Sequence, residues 1–144
     1  MSENKELKQE IFNQTIKKNI QRKSVFVDKV RFSDNIPLFS WLDINPTELC
    51  NRRCVFCPRA DVELYPNQNL HISLDLCSKI ADELRALNYT GGVALSGYGE
   101  PTLHPEFTEM VKIFGNDIRT ELITSGDFLT PQVAAELYKA GISK

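Results

Sequence analysis

Two periodicities alternate along the chain. Apolar residues spaced by three and four predict helices, and short apolar runs predict strands. A lead helix is expected over about Asn4–Gln21, with Phe12, Ile16 and Ile20 at i+4 steps and Leu7 and Ile11 beside them. Ser24–Phe32 alternates loosely and reads as a strand, closed by the turn residues Ser33-Asp34-Asn35 and by Pro37. From Leu38 the alternation is regular. Leu38–Ile44 predicts a short apolar strand. Ser73 caps a helix to about Leu87, with Leu74, Leu76, Cys77, Ile80, Leu84 and Leu87 on its apolar side. Gly91-Gly92 ends it before a buried strand over Val93–Leu95. Pro105 opens a helix carrying Phe107, Met110, Val111 and Phe114, and Glu121–Ile123 is a third strand. Thr130-Pro131 starts a last helix that ends at Ala140-Gly141.

Strands alternating with helices of these lengths imply right-handed βαβ units and a parallel α/β sheet. Residues 1–36 form a helix-plus-strand leader, and residues 37–144 carry three βα units. Each strand runs at its C-terminal end into unusual sequence: a cysteine-rich loop, then Ser96–Pro101, then Thr124-Ser125-Gly126. Parallel α/β folds place their active sites at that edge.

Composition narrows the class. With 42% apolar and 25% charged residues, the chain is of ordinary globular type. No apolar run approaches membrane-spanning length and the N-terminus is too polar for a secretory signal, so a cytoplasmic protein with no membrane partner is expected. Clustered free thiols agree with a reducing compartment. A net charge of −2 gives no reason to expect nucleic acid. Residues 1–31 hold eight Lys or Arg against four acids, a lead segment of +4 beside a remainder of −6. That segment reads as a docking arm or as a solvated helix face.

Cys50, Cys54 and Cys57 stand inside eight residues, with no fourth cysteine at ligand spacing. Structural zinc sites and electron-transfer clusters use a closed set of four protein ligands. Three thiolates on a four-iron cube leave one iron free to bind a substrate or cofactor. Two other readings share the spacing. The thiols at i, i+4 and i+7 could line an apolar helix face, or a zinc site could be completed by His71 or Cys77. Pro46 and Pro58 bracket the segment, and Asn51-Arg52-Arg53 suits a loop better than a buried helix. Cys77 otherwise reads as core, His104 as a residue opening its helix, and Arg52, Arg53 and Arg59 as solvated loop charge or as a bias on a cluster.

The spacing CxxxCxxC, with an aromatic residue before the last cysteine, resembles the signature of the radical S-adenosylmethionine (radical SAM) enzymes, and the resemblance extends from about Leu38 to the C-terminus. It implies that Cys50, Cys54 and Cys57 ligate a 4Fe-4S cluster and that Phe56 sits against the adenine of SAM, chiefly through its backbone. Tyr98-Gly99-Glu100-Pro101 is similar to the family's Gly-Gly-Glu motif, with Tyr98 in place of the first glycine. Gly97 and Gly99 are expected to let the backbone approach a ligand, and Pro101 to hold Glu100 extended with its carboxylate aimed out over the strand ends. By the resemblance Glu100 binds the methionine amino group. A dinucleotide fingerprint beginning at Gly97 fails, because Thr102 takes the third glycine position. Thr124-Ser125-Gly126 stands where relatives have Thr-Asn-Gly, so Ser125 offers a hydroxyl to the cofactor or belongs to a plain turn.

The implied function is reductive cleavage of SAM to a 5′-deoxyadenosyl radical that abstracts hydrogen from an unknown substrate. The electron comes from a donor such as flavodoxin or ferredoxin. The Cys57-Pro58-Arg59 ending and the run Gly97–Pro105 look most like members with a C-terminal auxiliary-cluster domain, which modify peptides, sugars or cyclitols. A non-catalytic iron-sulfur or zinc module is the alternative. Family cores have six βα units in a partial (β/α)6 barrel. Three are present here, so the chain is expected to be the first half of such a core, truncated before its fourth strand and inactive alone.

Overall fold

The structure, a computed structural model, describes residues 10, 12–21, 24, 31–115 and 117–143. The chain divides into two units, Met1–Ser40 and Trp41–Lys144. In the first, residues 12–21 are helical, with Phe12, Ile16 and Ile20 exposed. Ser24 is helical too, and its hydroxyl donates to the Gln21 carbonyl at 3.0 Å. The strand expected from Ser24 therefore does not start there. Most of that strand, and Asn4, Leu7 and Ile11 of the expected helix, lie outside the described residues. Asp34 and Asn35 both take left-handed backbone, with φ of 50° and 66°, which short polar side chains tolerate. They fold β1 (Phe32–Ser33) antiparallel onto β2 (Ile36–Pro37). The Leu38 N–H closes this hairpin on the Arg31 carbonyl at 2.8 Å, so Leu38 is spent on the turn rather than on the next strand.

The second unit runs β3 (Trp41–Ile44), α1 (Leu74–Ala86), β4 (Gly92–Leu95), α2 (Phe107–Phe114), β5 (Arg119–Leu122) and α3 (Pro131–Ala140). The strands form one parallel sheet in the order β3-β4-β5, registered from Trp41–Gly92–Arg119 to Ile44–Leu95–Leu122. Consecutive parallel strands need crossover connections, which the helices supply. Central β4 is buried at every residue. Val93 and Leu95 join Cys77, Ala81, Leu84, Phe107, Met110, Val111, Phe114, Leu137 and Ala140 in one apolar core. Gly92 sits under the Trp41 indole, where an added Cβ would lie 2.2 Å from the ring.

Local chemistry sets the element ends. The Ser73 hydroxyl accepts from Leu76 N at 3.2 Å, and the Thr130 hydroxyl accepts from Val133 N at 3.2 Å with Pro131 in the first turn. Three expectations shift. Leu76 of α1 and Leu87, which caps its C-terminal end, are exposed, because the buried stripe follows Cys77, Ala81 and Leu84. Pro105 precedes α2 rather than opening it. Ile123 lies beyond β5 and is exposed, while Arg119 and Thr120 belong to the strand. After α3 the backbone returns beside β5: Ile142 bridges Thr120 in parallel, and Ser143 N donates to the Thr120 carbonyl at 2.7 Å. Among the described residues no helix is long and apolar enough to cross a membrane.

Candidate active site at the C-terminal edge of the sheet

Parallel strands send their following loops to one edge, and here that edge gathers the chemistry. The loop after β3 is closed at its base by Ile72 N to the Pro46 carbonyl (3.0 Å), Glu48 N to the Leu70 carbonyl (2.9 Å) and a bridge between Thr47 and His71. The cysteine segment projects beyond this base. It is not helical, so the apolar-face reading of the three thiols is set aside. Asn67 clasps Cys50 on both sides: its Oδ1 accepts from Cys50 N at 3.0 Å, and its Nδ2 donates to the Cys50 carbonyl at 2.8 Å. Cys57 N donates to the Cys54 carbonyl at 2.9 Å, and Ala60 N to the Cys57 carbonyl at 2.9 Å. All three thiols are free and partly exposed, and the Arg52 N–H points at Cys50 Sγ from 3.5 Å.

Arg59, read from the sequence as solvated loop charge or as a bias on a cluster, is only 3% exposed, so the solvated reading falls. Its Nε donates to the Tyr98 carbonyl (2.6 Å), Nη1 to Asn67 Oδ1 (3.0 Å) and the Pro66 carbonyl (3.3 Å), and Nη2 to Glu48 Oε2 (2.6 Å). The guanidinium also lies 4.8 Å from the centre of the Tyr65 ring. One cation thus ties the cysteine loop to the loop after β4.

That second loop packs tightly. An added Cβ at Gly99 would lie 1.7 Å from the Thr47 carbonyl oxygen, so no side chain fits. Glu100 N donates to the Leu49 carbonyl at 2.7 Å. Gly97 likewise lies against the Asn45 side chain, so the close approach these glycines permit is to the chain itself. The Glu100 backbone is extended as expected, but its carboxylate is buried. Oε1 accepts from Thr102 Oγ1 (2.6 Å), Thr124 Oγ1 (2.5 Å) and Thr102 N (3.2 Å), while Oε2 accepts from Ser125 N (2.7 Å). Burial pushes its pKa up, the hydrogen bonds from Thr102, Thr124 and Ser125 push it down, and the net direction is down. The carboxylate expected out over the strand ends is thus buried and already engaged: Glu100 reaches sideways and staples the β4 loop to the β5 loop.

The third loop holds Asp127. Its Oδ2 accepts from Asn51 Nδ2 (2.6 Å) and Arg52 Nε (2.7 Å), and its Oδ1 pairs with Arg52 Nη2. The Arg52 hydrogen bonds lower the Asp127 pKa to about 2. The Ser125 hydroxyl accepts from Asp127 N at 3.4 Å rather than standing free.

Of the residues singled out in the sequence, Cys50, Cys54, Cys57, Gly97, Tyr98, Gly99, Glu100 and Ser125 stand on these three loops, and Phe56 is 89% exposed on the first. Tyr98 is half-exposed and meets Tyr65 edge-on at 5.4 Å. Among the described residues no group of three or more His, Cys, Asp or Glu side chains stands close enough to hold a metal as it is. The proposed zinc completions fare worse. Cys77 is fully buried in the core, where burial pushes its thiol up to about 11, and His71 packs edge-on against His104 with Nε2 on Asn69 Oδ1. His104 accepts from Glu106 N through Nδ1 (3.0 Å) and donates through Nε2 to the Ile72 carbonyl (2.9 Å), a structural role. Asp127, Asn67 and Glu48 were missed. For Asn67 the only sequence signal is the run of Asn and Arg in the cysteine loop, and for Glu48 and Asp127 there is none.

Comparison with known proteins agrees with this geometry. The chain is 28% identical over 110 residues to the S-adenosyl-L-methionine-dependent 2-deoxy-scyllo-inosamine dehydrogenase of Niallia circulans, an alignment covering 74% of this chain and 43% of that protein. It is 32% identical over 114 residues to a GTP 3′,8-cyclase of Clostridium acetobutylicum, covering 72% of this chain and 32% of the enzyme. The chain therefore spans less than half the length of the relatives it matches. The crystal structure of BtrN in complex with AdoMet and 2-DOIA superposes with a TM-score of 0.68 at 27% identity, over 74% of this chain and 44% of that one. The model of the Radical SAM superfamily matches residues 44–144, the region that holds all three loops, and this chain belongs to that superfamily.

Proposed function

We propose that the edge formed by the three loops is the cofactor site of a radical SAM enzyme, with Cys50, Cys54 and Cys57 as ligands of a 4Fe-4S cluster. The observation that carries this reading is the donor set. Three partly exposed thiols share one loop whose backbone groups at Cys50 and Cys57 are already engaged by Asn67, Cys54 and Ala60, which leaves the sulfurs for metal. Thiolates are the ligands such clusters use, and one amide already faces Cys50 Sγ. When bound, the cluster supplies the electron that splits SAM into methionine and a 5′-deoxyadenosyl radical.

The chain's own groups then bind and orient. Ionised Glu100 places a negative charge under the loops, and Oε2, with one donor against three on Oε1, keeps acceptor capacity for the ammonium of the methionine moiety. Phe56, exposed beside Cys57, offers its backbone and ring to the adenine. The partial barrel, the electron donor and the substrate belong to this proposal as well. Among peptides, sugars and cyclitols, the relative named for 2-deoxy-scyllo-inosamine favours a cyclitol.

Anaerobic reconstitution tests the reading. In the intact enzyme four irons and four sulfides per core site are expected, lost in Cys50→Ala, Cys54→Ala and Cys57→Ala alike, and the electron paramagnetic resonance spectrum of the reduced cluster should change when SAM is added. Tetrahedral zinc in protein purified without oxygen, or a cluster blind to SAM, would refute it.

A further inference from the structure

One carboxylate at this edge has no part in the chemistry proposed above. Asp127 reaches back across the site and takes the side chains of Asn51 and Arg52, the two residues directly after Cys50. The pairing with Arg52 is bidentate, which fixes orientation as well as distance. At the start of the same loop Thr124 and Ser125 hold Glu100. Thr124–Asp127 therefore grips the β4 loop with its first two residues and the cysteine loop with its last. With its pKa near 2, Asp127 is ionised at every pH where thiol or cluster chemistry is measured. An exposed ion pair does little for global stability, so its effect is local order.

We propose that Asp127 is a positioning residue, a latch that fixes the Cys50–Cys54 span against the loop after β5 and so sets the cysteine loop relative to Glu100. Only the spectroscopic half of its test rests on the cluster reading.

The experiment uses the full chain with Asp127→Ala and Asp127→Glu. In metal-free, reduced protein, alkylation by iodoacetamide is followed at each cysteine by peptide mass spectrometry, with buried Cys77 as the internal control for folding. Asp127→Ala should speed alkylation at Cys50 and Cys54 by roughly one-and-a-half- to fivefold, the range for loss of a partly exposed pair, while Cys77 stays slow. Asp127→Glu should return the rates toward wild type. In the reconstituted intact enzyme, Asp127→Ala should keep its iron but lose part of the spectral change that SAM produces. Unchanged rates at Cys50 and Cys54 together with an unchanged SAM response would overturn the proposal. So would an equal acceleration at Cys77, which would mean general loosening. If the wild type loads no cluster, the cluster reading fails, and the alkylation series still decides the latch.

Discussion

At the N-terminal edge of the sheet, Arg85 at the end of α1 grips Asp117 through Nε (2.6 Å) and Nη2 (3.0 Å), and also donates to the Ile113 carbonyl at 2.7 Å. At the C-terminal edge, Arg52 grips Asp127 with the same fork. The two pairs are alike in chemistry and both are partly exposed. Their surroundings differ. Arg85 and Asp117 join a helix end to a strand entrance. Arg52 and Asp127 stand among three thiols, the buried Glu100 and the buried Arg59. An ion pair alone does not mark a site. Charge kept away from water, tied across loops from three strands, has a cost that packing does not require, and that contrast sets the proposed cofactor edge apart from the opposite one.

The contrast breaks most visibly at Arg59. Arg59→Ala removes a buried cation, takes one donor from half-buried Glu48 and strands the Tyr98 carbonyl, at a cost of about 3 kcal/mol, the upper end for hydrogen bonds to a charged group. Chemical denaturation of both proteins measures this. Arg59→Lys should recover little, since an ammonium cannot reach Tyr98, Asn67 and Glu48 from one rigid fork. A loss no larger than that of an exposed pair would mean that the C-terminal edge is held as loosely as the other one.

Glu100 ranks next. Glu100→Ala leaves two threonine hydroxyls and the Ser125 N–H without their acceptor, costing about 2 kcal/mol, and should weaken SAM binding by about tenfold or more. Glu100→Gln keeps the shape and should lose less stability. The pH dependence has a definite sign. Because the folded state lowers the Glu100 pKa, its contribution is complete above the ordinary value of 4.5 and fades as the pH falls below it. Denaturation curves for wild type and Glu100→Gln should therefore converge in acid. Curves that stay parallel from neutral to acid pH would remove Glu100 from the account.

How much of this the sequence disclosed depends on range. Caps at Ser73 and Thr130, the alternation of strands and helices, and the convergence of three motifs on one edge are local signals, and the structure carries each of them. Arg59 could not be read in that way. Its partners Glu48, Asn67 and Tyr98 come from separate stretches, and nothing in the local pattern of Pro58-Arg59-Ala60 says that the guanidinium turns inward. Glu100 was singled out by its motif, but its burial was not foreseen. The acceptor's partners Thr124 and Ser125 lie on the next strand's loop, beyond the reach of any window around Gly99-Glu100-Pro101. Leu76 shows the same limit on a helix, where its place beside Cys77 suggests burial and the packing partner decides otherwise.

The smallest effect belongs to the other pair, and it sharpens the comparison as a control. Arg85→Ala should cost no more than about 1 kcal/mol, as for a surface pair with one added carbonyl contact. The Arg85 hydrogen bonds lower the Asp117 pKa below its ordinary value of 3.8. That contribution is complete above this value and is lost as the pH drops beneath it, so wild type and Arg85→Ala should differ at neutral pH and draw together in strong acid. The decisive reading lies at the opposite edge. Alkylation rates at Cys50, Cys54 and Cys57 should be the same in Arg85→Ala as in wild type, because no hydrogen bond of Arg85 reaches the three loops. If loosening the N-terminal edge alters those rates as much as Asp127→Ala does, the two edges share one cooperative unit, and the cysteine loop is ordered by the stability of the whole sheet rather than by its own latch.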